Sequence, residues 1–295
     1  MVLKLSSSYR TKKMAKTIEQ NTKVIITGAS TGIGRGLALL LAEKYKAHLI
    51  LTARSEGDLA SAAEQVVALG GKAETVVGDI AAEGMIDILV EKCLTAYGGI
   101  DIIVNNAGMA IPGKFENLAM SDWRRLFEVN FFTPLALTYA ALPHLKKSNA
   151  GKIVNVASVA GKISFPGSVS YCSSKFALTG LSEGLAAEIG NLIDVITVCP
   201  GWVRTEFFEK NAVAGQKNPT LIAERQDLSG VLMKHVLSIS TKQCASDIER
   251  ALARGGSHEI ILTLPGQFAE RLHGLAPGLM RFIARGIPAE FPQKQ

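Results

Sequence analysis

Residues 23–34 read K-V-I-I-T-G-A-S-T-G-I-G and continue without a break into R-G-L-A-L-L-L-A-E-K-Y. The short apolar run predicts a buried strand, and the leucines at 37, 40 and 41 predict a helix with one buried side. Between them, Gly28, Gly32 and Gly34 let the backbone turn sharply and come close to a ligand. A helix that starts directly after such a turn aims its unpaired N–H groups at the turn, which suits an anion such as a pyrophosphate. Strand, glycine turn and helix joined in this way are the pattern of a dinucleotide-binding α/β unit.

The alternation continues along the chain. Strands are predicted at 48–52, 73–77, 100–104, 152–156, 194–198 and 259–263, and helices at 58–69, 82–97, 121–147 and 171–189. Trp123, Leu126, Phe127 and Val129 mark the apolar side of the third of these helices, and Asn130 lies within it. The order predicts an α/β, doubly wound Rossmann fold: a mostly parallel seven-stranded sheet with helices on both faces. Ligands of such sheets lie beyond the carboxyl ends of the strands. Asp79, the turn Asn105-Asn106-Ala107-Gly108 and the segment Cys199-Pro200-Gly201 fall at those ends.

The second strand ends in Ala53-Arg54-Ser55, where NAD-preferring folds place an acid for the ribose 2′-hydroxyl. A guanidinium beside a hydroxyl suits a 2′-phosphate instead, so NADP(H) is expected over NAD(H). Arg35, just after the glycine turn, adds to that field. The plainer reading of Arg54 is a solvated surface side chain.

Tyr171 and Lys175 stand at i and i+4, so on a helix the phenol and the ammonium share one face. A phenol titrates near pH ~10 and is a poor acid or base at neutrality, and a cation in range lowers that value by roughly 1–3 units. Ser158, thirteen residues before Tyr171 at the end of a strand, is placed to offer a hydroxyl to the same substrate oxygen. A Y-x-x-x-K recurs by chance in helices, and its weight here comes from what precedes it.

Taken together, these motifs resemble the short-chain dehydrogenase/reductase family, in its T-G-x-x-x-G-x-G and Y-x-x-x-K subgroup, over roughly residues 22–263. Thr27 to Gly34, including Ser30, Thr31 and Ile33, match its cofactor turn. Asp79, with Ile80 beside it, matches the adenine-side acid, and Asn105 to Gly108 match its N-N-A-G turn. Asn130, Ser158, Tyr171 and Lys175 match its catalytic tetrad, and Pro200, Gly201, Val203 and Thr205 fall in its P-G-x-x-x-T segment. The A-R-S stretch resembles that of the NADP-preferring members.

The resemblance implies hydride transfer between NADP(H) and a carbonyl or secondary alcohol. Tyr171 would be the acid or base, and Ser158 would orient the carbonyl. Lys175 would hold the nicotinamide ribose and lower the tyrosine pKa, while Asn130 would hold a water that links Lys175 to solvent. It also implies a substrate lid over about 205–247. There Phe207, Phe208, Val213, Leu221 and Ile222 suggest an apolar substrate, or else residues that merely pack the lid down.

Composition narrows the remaining choices. The chain has 295 residues, 47% of them hydrophobic, enough for one large domain. Five of the six net positive charges fall in residues 1–23, so the body is near neutral and nucleic-acid binding is not expected. The four cysteines form no C-x-x-C, and no metal site is expected; reduced thiols point to a cytoplasmic setting.

The expected organisation is a basic extension at 1–21, a Rossmann domain at 22–264 and a helical extension at 265–295. The N-terminal tail weakly resembles an organellar transit peptide and otherwise reads as a disordered extension. A homodimer or homotetramer is expected, although L-P-G after the last strand departs from the ending common in tetrameric relatives. Leu275, Leu279, Phe282 and Ile283 share a helical face that packs on the core, meets a second subunit, or rests on a membrane surface, the last being least favoured. Two other functions stay open: a dinucleotide-binding regulator or scaffold without turnover, and an α/β-fold methyltransferase, which would leave Tyr171 and Lys175 idle.

Overall fold

The computed structural model describes residues 17–204 and 238–286. Its main sheet is built from β1 (Lys23–Thr27), β2 (His48–Ala53), β3 (Lys72–Val77), β4 (Ile102–Asn105), β5 (Lys152–Val156), β6 (Asp194–Cys199) and β9 (His258–Ile261). The seven strands lie in the order β3-β2-β1-β4-β5-β6-β9, and every pairing is parallel. Two short strands, β7 (Trp202–Arg204) and β8 (Ser238–Ser240), pair separately.

Alternation along each strand divides the core into two. Val24, Ile26, Leu49 and Leu51 meet α1 (Gly32–Tyr45), α2 (Glu56–Ala68) and α7 (Thr241–Arg254) on one face. Ile25, Ile50, Ile103 and Ile153 meet α3 (Met85–Tyr97), α5 (Thr133–Lys147) and α6 (Val169–Ile189) on the other. Burial on both faces explains why these strands read as unbroken apolar runs. Each fully buried Ile or Leu contributes about 1.5–3 kcal/mol. The strand order reverses between β1 and β4, which opens a crevice at their carboxyl ends.

Three sequence expectations shift. The helix expected over 121–147 is α4 (Met120–Phe127) and α5 joined by a π-helical turn, Glu128–Phe132, with Asn130 at its centre. Pro134 lacks the N–H that an α-helix would give the Asn130 carbonyl, so the regular ladder cannot run through this point. Residues 241–247, expected in the lid, form the first turns of α7, with Cys244 and Ala245 buried against the core that includes α1.

The C-terminal stripe is also broken. Leu275 ends α8 (Leu264–Leu275), Ala276 leaves the helical region at φ −140° and ψ 66°, and Pro277 begins α9 (Pro277–Arg285). The residue before a proline is disfavoured in the helical region, which accounts for the break. None of the stripe's four apolar residues is packed on the core.

Candidate active site

The glycine turn between β1 and α1 carries the first half of the site. Gly28 and Gly32 have φ of +66° and +59°, open to glycine at little cost. A Cβ on Gly34 would stand 2.4 Å from the Gly28 carbonyl oxygen, so the turn closes only with glycine there. Thr31 caps α1 without a side-chain hydrogen bond, and the first turn holds no acid. The N–H groups at this helix start therefore remain available to an anion, and the turn fits a dinucleotide pyrophosphate.

Thr27 ties this turn to the one after β4. Its hydroxyl accepts from the Asn106 and Ala107 N–H groups at 3.0 and 2.9 Å and donates to the Val104 carbonyl at 3.2 Å. The Asn106 amide donates to the carbonyls of Thr27 and Gly28 at 2.8 and 3.0 Å. The N-N-A-G turn, including Gly108, thus stands directly against the glycine turn.

At the end of β2, Arg54 is exposed and Ser55 donates its hydroxyl to Asp58 at 2.8 Å. Arg35 reaches across from α1 to the Ser61 hydroxyl at 2.9 Å and to the Ser30 carbonyl at 3.4 Å. Asp79 is partly buried, which works to raise its pKa. The Ala81 N–H, a hydrogen bond from Arg125, and the charges of Arg125 and Arg54 outweigh burial and hold the carboxyl below its usual range. Ile80, next to it, is buried in the core beneath.

The second half gathers on β5 and α6. Ser158 follows β5 and caps a 3-10 turn, its oxygen accepting from the Ala160 N–H at 3.0 Å. The Val159 N–H donates to the Pro200 carbonyl at 2.9 Å, which draws the segment after β6 beside it. Tyr171 lies in the first turn of α6 and is hydrogen-bonded to Ser158; Lys175, one turn on, donates to the Val156 carbonyl at 2.9 Å and stands 5.9 Å from the centre of the tyrosine ring. Burial pushes the Tyr171 phenol up to about 12, and the bond from Ser158 opposes it. Burial likewise depresses the Lys175 ammonium to about 8. The expected lowering of the tyrosine by its lysine is thus not what governs this state; burial sets the direction, and the one opposing influence is the Ser158 hydrogen bond.

Asn130 is fully buried and its side chain is used up. Its oxygen accepts from the Met109 N–H, and its amide donates to the Met109 carbonyl and the Ser174 hydroxyl, at 2.9–3.0 Å. Only its backbone is left to hold a water. Gly201 packs so tightly on Thr263 that a Cβ would lie 2.2 Å from that hydroxyl, and Val203 lies in β7. Thr205 and the expected lid residues up to 237 lie outside the described residues.

Several contributors were not singled out in the sequence. Asn155 on β5 is the register partner of Asn105 on β4; it accepts from the Asn105 amide at 2.8 Å, and its own amide donates to Ser182 of α6 at 2.8 Å. An amide inside the apolar run V-N-V was the available signal. The Arg125–Asp79 and Ser174–Asn130 pairs had none, because they join residues 46 and 44 positions apart. No cluster of His, Cys, Asp or Glu suited to a metal occurs among the described residues.

The family model for short chain dehydrogenases matches residues 22–214, about two-thirds of the sequence and the stretch that carries every candidate catalytic and cofactor residue above. The chain belongs to the short-chain dehydrogenase family. That family is one of oxidoreductases that use a nicotinamide dinucleotide on a small-molecule substrate, and this chain is one of them.

This short-chain dehydrogenase is 34% identical over 181 residues to ketoacyl reductase HetN of Nostoc, covering 61% of the chain and 63% of that protein, just under two-thirds of its length. It is 36% identical over 234 residues to 11-beta-hydroxysteroid dehydrogenase-like 4A of Arabidopsis thaliana, covering 79% of the chain and 73% of that protein. Among solved structures it is similar to a short-chain dehydrogenase from Streptomyces avermitilis, with a TM-score of 0.72, 32% identity, and 90% and 98% of the two chains covered.

Proposed function

We propose that this enzyme is an NADP(H)-dependent reductase of apolar carbonyl compounds, working also in reverse on the secondary alcohols. One observation carries the reading: Ser158, Tyr171 and Lys175 converge beyond the carboxyl ends of β5 and β6, in the fold whose uncapped α1 start and glycine turn suit a dinucleotide.

When bound, a reduced nicotinamide supplies the hydride. Tyr171 gives its phenolic proton to the oxygen that gains charge as the carbonyl is reduced, and takes a proton in the reverse direction. Ser158 donates to the same oxygen and steadies its developing charge. Lys175, held on the Val156 carbonyl, is the group to bind the nicotinamide ribose hydroxyls and to tune the phenol once the cofactor is present. The Asn130 backbone holds the water through which protons return to Lys175.

Arg54 supports NADP(H), since no acid stands at the end of β2 and the guanidinium is free to reach a 2′-phosphate. Gly28, Ser30 to Gly34, Ser55, Asp79, Ile80, Asn106 to Gly108, Pro200, Gly201 and Val203 are the residues proposed to hold the cofactor. Exposed Phe132 at the end of the π-helical turn, Tyr139 on α5, and Val169 and Phe176 on α6 support a homo-oligomer. Four buried free thiols support a cytoplasmic setting, and among the described residues no helix is long and apolar enough to cross a membrane.

The test is turnover by the purified full chain with NADPH and with NADH against ketones, aldehydes, acyl-derived carbonyls and steroids. Turnover of apolar ketones with NADPH carries the reading. Tight NADPH binding with no turnover across the panel overturns it in favour of a regulator.

A further inference from the structure

The two C-terminal helices carry their amphipathic pattern turned outward. On α8, Leu264, Phe268, Arg271 and Leu275 recur at helical spacing, and the three apolar members are 80%, 69% and 87% exposed. Gly266 on another side of the helix is its buried residue. On α9, Leu279, Phe282 and Ile283 form a second exposed apolar stripe, with Phe282 at 73%, and α9 packs chiefly on α8. Six large apolar side chains facing outward on neighbouring helices exceed the scattered singles of an ordinary surface.

Charge decides between the occupants. Arg271, Arg281 and Arg285 are all exposed on these helices, and Glu270, partly buried, is their one acid. A symmetric contact between two copies would set this patch against itself, bringing arginines together with almost no acid to pair them. An anionic lipid surface supplies both things the patch lacks: an apolar layer for the stripe and negative headgroups for the arginines.

We propose that α8 and α9 form a platform by which the enzyme rests on an anionic lipid surface. The platform begins beside the candidate active site. Gly266 packs on Val159, the neighbour of Ser158, so closely that a Cβ would stand 2.7 Å from the valine methyl. Apolar contact supplies the bulk of the attachment, and the arginines confer preference for negative charge and sensitivity to salt.

Flotation of the purified full chain with vesicles tests this directly. Binding is expected to vesicles of three parts phosphatidylcholine to one part phosphatidylglycerol, with markedly less to phosphatidylcholine alone. Arg281→Gln with Arg285→Gln should lower the partition coefficient by about 25-fold at low salt, near fivefold for each arginine. Phe282→Glu with Ile283→Glu should abolish flotation while leaving the thermal unfolding transition of the body in place, since neither side chain belongs to the packed core of the sheet and its helices. Failure of the wild-type chain to float with anionic vesicles overturns the proposal. So does a wild-type oligomer that the Phe282→Glu, Ile283→Glu variant splits into monomers, which would assign the face to a second copy. Neither result bears on turnover with NADPH in solution, so the two proposals fail separately.

Discussion

The Lys175 ammonium donates to the Val156 carbonyl at 2.9 Å, so the lysine of the Y-x-x-x-K pair is also a pin between α6 and β5. One residue earlier on the same strand, Asn155 reaches Ser182, seven residues further along the same face of α6. The helix that presents Tyr171 is therefore docked on the sheet by two polar contacts. A purely apolar interface would fix the spacing of helix and sheet but leave sliding along the axis weakly specified.

The first of these contacts is costly. Lys175 is 3% exposed, and its pKa falls from 10.5 to about 8, so the folded state disfavours the charge. The unfolded chain binds more protons than the folded one between those two values. The penalty is thus fully present below pH 8 and disappears as the pH rises toward 10.5. Lys175→Met should lose turnover yet unfold no more easily than wild type at pH 7 without cofactor, gaining on the order of 1–3 kcal/mol. Denaturant melts at pH 7 and 10 check this: the gain should shrink at the higher pH, and a loss at pH 7 would refute it.

Asn155→Ala should be purely destabilising. It takes from the Asn105 amide its shortest bond, leaving those to Thr138 and Pro134 at 3.3 and 3.5 Å, and from the Ser182 hydroxyl one donor, leaving its own bond to the Leu178 carbonyl at 2.7 Å, at about 0.5–1.5 kcal/mol for each lost bond. Urea melts should show a lower midpoint at unchanged slope, and Ser182→Ala, which removes the acceptor of the Asn155 amide, should lower the midpoint as well.

Tyr171→Phe should lower turnover by about 10²-fold or more while cofactor affinity is kept. The phenol's high pKa keeps it protonated through the neutral range, so carbonyl reduction should be nearly flat with pH there. Alcohol oxidation, which needs the deprotonated form, should rise with pH. Paired pH profiles in the two directions decide it, and substantial turnover by the phenylalanine variant at neutral pH would remove the proton-donor role.

Arg54→Ala should weaken NADPH binding by tenfold or more, about 1.4 kcal/mol, and leave NADH nearly unchanged. Fluorescence titration of both cofactors measures the difference. Equal losses would show that the guanidinium does not meet the 2′-phosphate.

Much of this was legible along the chain because the information is local. K-V-I-I-T-G-A-S-T-G-I-G holds strand, turn and helix start within twelve residues, and Tyr171 and Lys175 need only one helical turn to share a face. The π-helical turn at Asn130 was written there as well, in the proline four residues later, but its effect depends on where the missing N–H falls. The break of the C-terminal stripe was similarly marked by Pro277.

Sequence by itself determined the alternation of strand and helix, the glycine turn and the spacing of the polar residues, because period and turn chemistry act between near neighbours. Tertiary structure alone decided which way the pKa values move, since Tyr171 and Lys175 respond to the desolvation made by elements far away in the chain. It alone brought Arg125 to Asp79 and Asn155 to Ser182. It also left the apolar sides of α8 and α9 facing outward, a choice that depends on whether the core has room for them rather than on their own pattern.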